Sequence, residues 1–191
     1  IILILLTRDN NKIIDAKILL GNINIENLND HFKKYINVIS FWLKKDLHSV
    51  ISSLQNIISD HKKDILAIRL LHFNNIFIGI DSNFLRKHLE ILDSWTKTDP
   101  FYNLILGMTS FAYEENDQLS LAQNLANESL AMSKKDLWSW HALLHVQDNE
   151  LSSDLESNEF FTSIDWSKYG AIKRHIWWHQ ALMHFYKKDF I

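Results

Sequence analysis

The stretch SKKDLWSWHAL (Ser133–Leu143) decides the fold, because two earlier segments share its layout. HKKDILAIRLL (His61–Leu71) and TKTDPFYNLIL (Thr96–Leu106) also place an Asp directly before an apolar run. Each Asp is predicted to cap a helix, since its carboxylate can accept from free backbone N–H groups of the first turn. In the middle segment we expect Pro100 at the first helical position, where a missing N–H costs nothing. The three Asp residues are Asp64, Asp99 and Asp136.

The spacing of the apolar residues predicts helices along almost the whole chain. The 191 residues include only four Gly and one Pro, so helix breakers are scarce. In His31–Lys45 the apolar side chains are three or four residues apart, which places them on one helix face. The same spacing predicts further helices at Leu47–Ile58, Ile65–Ile78, Asn83–Trp95, Phe101–Glu115, Leu119–Met132, Leu137–Gln147, Leu151–Phe161 and Ala171–Tyr186.

The spacing of the three capping Asp residues, 35 and 37 residues, indicates a repeated pair of helices. A two-helix unit with a period of about 34 residues is typical of tetratricopeptide repeats, which stack into a curved array. We therefore predict an all-α fold, a tetratricopeptide-like right-handed solenoid of antiparallel helix pairs, as a single helical-repeat domain over residues 1–191. Because the chain starts at Ile1 rather than Met and ends at Ile191 without a capping signal, we expect a fragment of a longer repeat protein.

Composition and charge exclude several classes of protein. A net charge of -3 gives no basic surface for nucleic acid. The chain has no cysteine, which excludes disulfides and thiolate metal ligands and suits a reducing compartment, so we expect a cytoplasmic location. The apolar run Ile1–Leu6 is too short to cross a bilayer, and we expect no membrane partner. Glycine-rich phosphate loops and nucleophile-elbow motifs are absent from the sequence.

Two His-x3-His motifs carry the most distinctive chemistry of the sequence. They lie in WSWHALLHV (Trp138–Val146) and HIWWHQALMHF (His175–Phe185). Residues four apart share one helix face, so each motif presents two imidazoles side by side, which can chelate a divalent metal ion. We expect Trp178 to lie near the second pair and Trp177 to pack in the core. His184 is expected about half a turn around the helix from His175, outside the set of ligands. The candidate metal ligands are His141, His145, His175 and His179.

The pattern leaves three interpretations of these histidines open. It favours a buried polar seam, in which imidazoles satisfy one another and nearby backbone groups, over a binding or catalytic pocket and over a metal site. Ala142 and Ile176 stand where a zinc peptidase of the HExxH type would carry Glu, so that class is disfavoured. We predict no cofactor, with a divalent metal ion as the alternative.

Three longer stretches resemble the tetratricopeptide repeat protein 38 family. They are PFYNLILGMTSFAYEEN (Pro100–Asn116), LAQNLANESLAMSKKDLWSWHALLHV (Leu121–Val146) and the second His motif. The resemblance covers roughly residues 47–191, and KKDILAIRLLHFNNIFIG (Lys62–Gly79) fits the preceding repeat of the family. It departs from the family in HVQDNELSSD, where Asn149 replaces a helix-ending Gly. The positions that match the family motifs are Gly107, Met108, Phe111, Glu115, Trp138, His141, His145, His175, Trp178 and His179.

The resemblance implies a tetratricopeptide solenoid, and we expect a binding scaffold for a protein or peptide. The alternative is an enzyme or metal-binding protein that uses a His-rich pocket between the last repeats. Glu115 is the preferred acidic partner of that pocket, because it matches the family motif and lies at a helix end where an acid is unfavourable. The candidate pocket comprises His141, His145, His175, His179, Glu115, Trp138 and Trp178.

Overall fold

The chain is all-helical in a computed structural model that describes residues 1–7, 9–150, 164–168 and 171–187. This confirms the predicted fold class at the level of all-α. The chain divides into two compact units, Ile1–Ser82 and Asn83–Ile191. The single helical-repeat domain over residues 1–191 stays a prediction. Among the described residues, no helix combines the length and apolarity that a bilayer crossing requires.

The helices of the first unit pack around one apolar core. Val38, Leu54, Ile57 and Ala67 lie in its core. The predicted cap at Asp64 is confirmed, since its carboxylate accepts from the backbone N–H of the residue three positions on at 3.0 Å. The helices are α1 (Ile2–Leu6), α2 (Ile13–Gly21), α3 (Asp30–Leu43), α4 (Leu47–Asp60) and α5 (Ile65–Ile78).

The second unit carries both His motifs. Its helices begin and end within three residues of the predicted bounds, and the predicted helix Leu151–Phe161 lies outside the described residues. Within the described part of this unit, the helices are α6 (Phe84–Leu92), α7 (Tyr102–Glu114), α8 (Leu119–Met132), α9 (Leu137–Glu150) and α10 (Ala171–Lys187).

The predicted cap at Asp99 is wrong, and Pro100 precedes the helix instead of starting it. The Asp99 carboxylate accepts from the backbone N–H of Thr96 at 2.8 Å and from its hydroxyl at 3.0 Å. Phe101 then adopts a left-handed conformation with φ of 68°, so α7 begins only at Tyr102. The Asp99 carboxylate therefore accepts hydrogen bonds within the local turn and does not cap the helix.

The start of α9 lies tightly against α7 through a buried Asp136. Its Oδ1 accepts from the backbone N–H of Trp138 at 3.2 Å, which confirms its predicted capping role. Its Oδ2 accepts from the hydroxyls of Ser129 at 3.1 Å and Ser139 at 2.8 Å. Gly107 of α7 permits this approach, because a Cβ there would collide with Asp136 Oδ2 and lie 2.6 Å from Ser139 Oγ. The contact fixes α9, and with it the first His pair, relative to α7.

The second His pair is positioned by apolar packing between α9 and α10. Leu137 and Leu144 of α9 form a buried cluster with Ile176 and Met183 of α10. Because Leu144 and Ile176 each adjoin a motif histidine in sequence, burying them holds the two His pairs at one helix–helix contact. The fold thus brings the two predicted motifs together.

Candidate metal centre

The four motif histidines converge on one point between α9 and α10. His141 and His145 project from one helix, and His175 and His179 from the other. One ring nitrogen from each lies within 4.8 Å of the corresponding nitrogens of the other three. Nitrogen atoms at such separations could hold a metal ion.

Within each pair the Nε2 atoms are hydrogen-bonded to each other, and the Nε2 of the second histidine accepts because its proton is on Nδ1. The Nε2 atoms of His141 and His145 are 2.9 Å apart, and those of His175 and His179 are 3.2 Å apart. Between the helices, the ring centroids of His141 and His175 are 4.7 Å apart, and those of His145 and His179 are 4.4 Å apart. The four rings therefore form a closed circuit of near neighbours.

A carboxylate orients the second histidine of each pair. Nδ1 of His145 donates to Glu114 Oε1 at 3.0 Å, and Nδ1 of His179 donates to Asp148 Oδ2 at 2.5 Å. A proton held on Nδ1 leaves Nε2 with a lone pair directed toward the other rings. Carboxylates hydrogen-bonded to the far nitrogen in this way fix the tautomer and raise the basicity of metal-ligating histidines.

An aromatic ring orients the first histidine of each pair. Phe111 stacks on His141 with a centroid distance of 5.2 Å, and Trp178 stacks on His175 at 5.6 Å. Both stacks have an interplanar angle of 22°. Trp138 adds an edge contact to His141 at 5.6 Å. Each of the four imidazoles is thus oriented from outside, either by a carboxylate or by a stacked ring.

Burial, complete or partial, lowers the pKa of three of the cluster histidines and so favours the neutral form that binds metal. His141 is 5% exposed and His179 is 3% exposed. Burial, followed by the proximity of His145, lowers the pKa of His141 well below its ordinary value. Partial burial and then His145 lower the pKa of His175. Burial also lowers the pKa of His179, although its hydrogen bond to Asp148 acts in the opposite direction.

Three buried polar atoms of this cluster have no hydrogen-bond partner among the described residues. They are His141 Nδ1, Glu114 Oε2 and Asp148 Oδ1. Buried polar atoms are paired with few exceptions, and each exception calls for a physical reason such as a ligand or an ordered water. The cluster is therefore incompletely satisfied by the described protein atoms.

The structure places most of the predicted pocket residues at this centre. Trp138 and Trp178 contact the histidines, but the acidic contact comes from Glu114, whereas the predicted Glu115 is exposed. The expectation that Trp177 packs in the core is wrong, since it is 43% exposed beside Trp166. Ile176 and Met183 occupy the core face of α10 instead.

The sequence contained a signal for both carboxylates. His141 and His175 are 34 residues apart, as are His145 and His179. The same offset relates Glu114 to Asp148, so each carboxylate lies 31 residues before the histidine that it contacts. A comparison of the motifs at the 34-residue period would have selected Glu114, because the residue 34 positions after Glu115 is Asn149.

No protein-family model matches the chain, and no solved structure matches it. The resemblance to the tetratricopeptide repeat protein 38 family therefore stays a prediction from its motifs.

Proposed function

We propose that this chain is a tetratricopeptide-like helical-repeat protein whose second unit binds one divalent transition-metal ion. The ligands are His141, His145, His175 and His179. The observation that carries the proposal is the convergence of four ring nitrogens, one from each residue, within 4.8 Å of one another. Side chains that merely fill a core do not need to bring one ring nitrogen each to a common point.

The distances within each His pair suit a shared ion. Metal–imidazole bonds of about 2.0–2.1 Å place neighbouring ligand nitrogens about 2.9–3.4 Å apart in common geometries. The Nε2 separations of 2.9 Å and 3.2 Å lie in this range. Four neutral imidazoles leave the charge of a divalent ion uncompensated, and Glu114 and Asp148 supply two negative charges beside them.

The ligand type selects the class of metal. Imidazole nitrogen suits zinc, copper, nickel, cobalt and iron, whereas magnesium and calcium prefer oxygen ligands. One oxygen of each carboxylate at the centre accepts from a histidine N–H group, so the carboxylates act on the ion through the imidazoles. We therefore propose a nitrogen-ligated transition metal.

The repeat architecture is part of the same proposal. The 34-residue offset between the two His motifs supports successive tetratricopeptide-like units, and through them a right-handed solenoid of helix pairs. A protein or peptide partner and a cytoplasmic location stay proposals, supported by the repeat pattern and by the absence of cysteine from the sequence. The metal-binding role takes precedence because named side chains and distances support it.

The test is metal titration of the chelator-treated protein, read by calorimetry and by elemental analysis after gel filtration. We expect one Zn²⁺, Cu²⁺ or Ni²⁺ per chain, and no retained Mg²⁺ or Ca²⁺. The variant His145→Ala, His179→Ala should lose binding, because it removes one ligand from each helix.

The matched control is His48→Ala, His184→Ala, which removes two histidines outside the cluster. Circular dichroism checks that both double variants stay helical. Retention of less than one ion per chain by the parent, or equal losses in the two double variants, would show that the histidines form a structural seam and would overturn the proposal.

A further inference from the structure

We propose that the four histidines hold their metal in a flattened, tetragonal arrangement that leaves an apical position open to a small ligand from solvent. This inference rests on the metal site proposed above. It predicts that the centre prefers Cu²⁺ and Ni²⁺, which favour tetragonal coordination, to Zn²⁺, which is tetrahedral in structural sites.

The distances between the centroids of the four imidazole rings support a flattened arrangement. Around the circuit His141, His145, His179, His175, the successive centroid distances are 4.4, 4.4, 4.7 and 4.7 Å. The two diagonals, His141 to His179 and His145 to His175, are longer at 5.5 and 6.0 Å.

Four groups at the corners of a regular tetrahedron would be equally far apart in all six pairs. In a flat square the diagonals would exceed the edges by a factor of about 1.4, the pattern of a tetragonal site. The observed diagonals exceed the edges by roughly a fifth to a third, so the array lies between the two limits.

The nitrogen distances support the same geometry. With bonds of about 2.05 Å, adjacent ligands are about 2.9 Å apart in a square site and about 3.3 Å apart in a tetrahedral one. The His141–His145 pair, at 2.9 Å, matches the square value, and the His175–His179 pair, at 3.2 Å, lies between the two. Both pairs are i, i+4 pairs on rigid helices, so the helix spacing sets the distances.

The array is accessible at the corner formed by His175 and covered at the corner formed by His141. Phe111 and Trp138 pack against His141, which is buried. His175 is exposed, and Trp178, which stacks on it, is 54% exposed. Solvent therefore reaches the array at His175 and Trp178, and a small ligand can approach the ion from there. Flattened coordination by four nitrogens leaves an apical position in which such a ligand can bind.

The experiment loads the chelator-treated protein with one equivalent of Cu²⁺ and records its electron paramagnetic resonance spectrum. We expect an axial spectrum with coupling to four nitrogens, and a reduction to three in His175→Ala but not in His184→Ala. Azide, as the probe of the open position, should produce a new charge-transfer absorption band. Cobalt substitution provides the second reading, since tetrahedral Co²⁺ absorbs strongly and five- or six-coordinate Co²⁺ absorbs weakly.

Intense tetrahedral Co²⁺ bands, or a Cu²⁺ spectrum unaffected by azide, would overturn the tetragonal assignment while leaving the proposed metal-binding function intact. Failure of the parent protein to retain Zn²⁺, Cu²⁺ or Ni²⁺ would overturn both proposals. A weak Co²⁺ spectrum together with an azide band supports the open, flattened site.

Discussion

The second unit contains two buried polar clusters that differ in how fully they are satisfied. At the start of α9, both Asp136 oxygens accept hydrogen bonds, from Ser129, Trp138 and Ser139. Further along the same helix, the histidine cluster contains buried atoms without partners among the described residues, on His141 and on Asp148. One helix thus carries a closed network at its first turn and an incomplete one in its next two turns.

The difference separates a structural role from a ligand-binding one. A closed network gains its full hydrogen-bond energy in the folded protein and has no remaining capacity for a ligand. An incomplete network costs stability until a ligand or water completes it. We expect changes to the Asp136 cluster to lower stability whether or not metal is present, and changes to the histidine cluster to act mainly on metal binding.

The largest effect should follow from Asp136→Ala. The substitution leaves the buried Ser139 hydroxyl and a helix N-terminus without their acceptor, while the Ser129 hydroxyl keeps its hydrogen bond to the Asn103 carbonyl. Losing a helix cap and a buried acceptor costs about 2–5 kcal/mol of unfolding free energy. Urea unfolding followed by circular dichroism measures the loss. It should be equal in chelator and in excess Zn²⁺, whereas the exposed control Asp93→Ala should change little. A loss that metal abolishes would contradict the separation of the two clusters.

A smaller effect, linked to pH, should come from His88, a buried histidine outside the metal cluster. Its Nδ1 donates to the backbone carbonyl of Phe84 at 2.8 Å, yet burial lowers its pKa to about 4 from the ordinary 6.5. As pH falls from 6.5 to 4, the unfolded chain takes up the proton first, so folding stability falls through this window and no further below it. At about 1.4 kcal/mol per pKa unit, the loss is about 3 kcal/mol.

The measurement compares the unfolding free energy of the metal-free parent and of His88→Gln at several pH values. The parent should lose about 3 kcal/mol more than the variant between pH 6.5 and pH 4. Parallel pH profiles would show that His88 does not titrate differently in the folded chain. The expected difference would show how much a buried histidine outside the metal cluster contributes to the pH dependence of folding stability.

Next in size is Gly107→Ala, which tests how closely α7 approaches the Asp136 cluster. The added methyl group would collide with Asp136 Oδ2 and Ser139 Oγ, and overpacking of this kind costs about 2–3 kcal/mol. Gly21→Ala is the matched control, because its Cβ would meet nothing within 4 Å, and it should change stability by less than about 1 kcal/mol. Equal effects in thermal unfolding would contradict the close approach.

Apolar periodicity predicted the helices well, because each helix buries one face. It placed the start of α8 at Leu119 and that of α9 at Leu137, as observed. Helical spacing failed at Trp177, where Ile176 and Met183 already fill the core face. The repeated Asp before each apolar run failed at Asp99, where a turn with Thr96 competes for the carboxylate. Such outcomes depend on neighbours that the local pattern does not specify.

The candidate site was predicted in part. The i, i+4 spacing and the repeat brought the four histidines together in prediction as in the structure. The choice between Glu114 and Glu115 was not resolved by the helix end alone. Adjacent residues point about 100° apart on an α-helix, so only one can face the histidines, and which one depends on the orientation of α7 against α9. The 34-residue offset indicates the choice, because it relates Glu114, and not Glu115, to another carboxylate, Asp148.

The smallest effect on stability, and the most direct test of the incomplete cluster, is Glu114→Gln. Glutamine keeps an acceptor for His145 Nδ1 but removes the negative charge. We expect metal affinity to fall about 10- to 100-fold, because the carboxylate raises the basicity of the ligating imidazole. Competition titration against a chromophoric chelator measures the change, and the unfolding free energy of the metal-free protein should change by less than about 1 kcal/mol.

The neighbouring Glu115→Gln separates a directed hydrogen bond from a general charge effect. Both substitutions remove one negative charge from the same helix end, but the hydrogen bond from His145 Nδ1 is to Glu114, whereas Glu115 is exposed. If charge alone attracted the ion, both variants would weaken binding, and the loss would shrink in salt because exposed charges are screened. If the carboxylate acts through the imidazole, only Glu114→Gln weakens binding, and the loss persists in salt. Asp148→Asn should then repeat the effect through His179, since the two carboxylates occupy equivalent positions 34 residues apart.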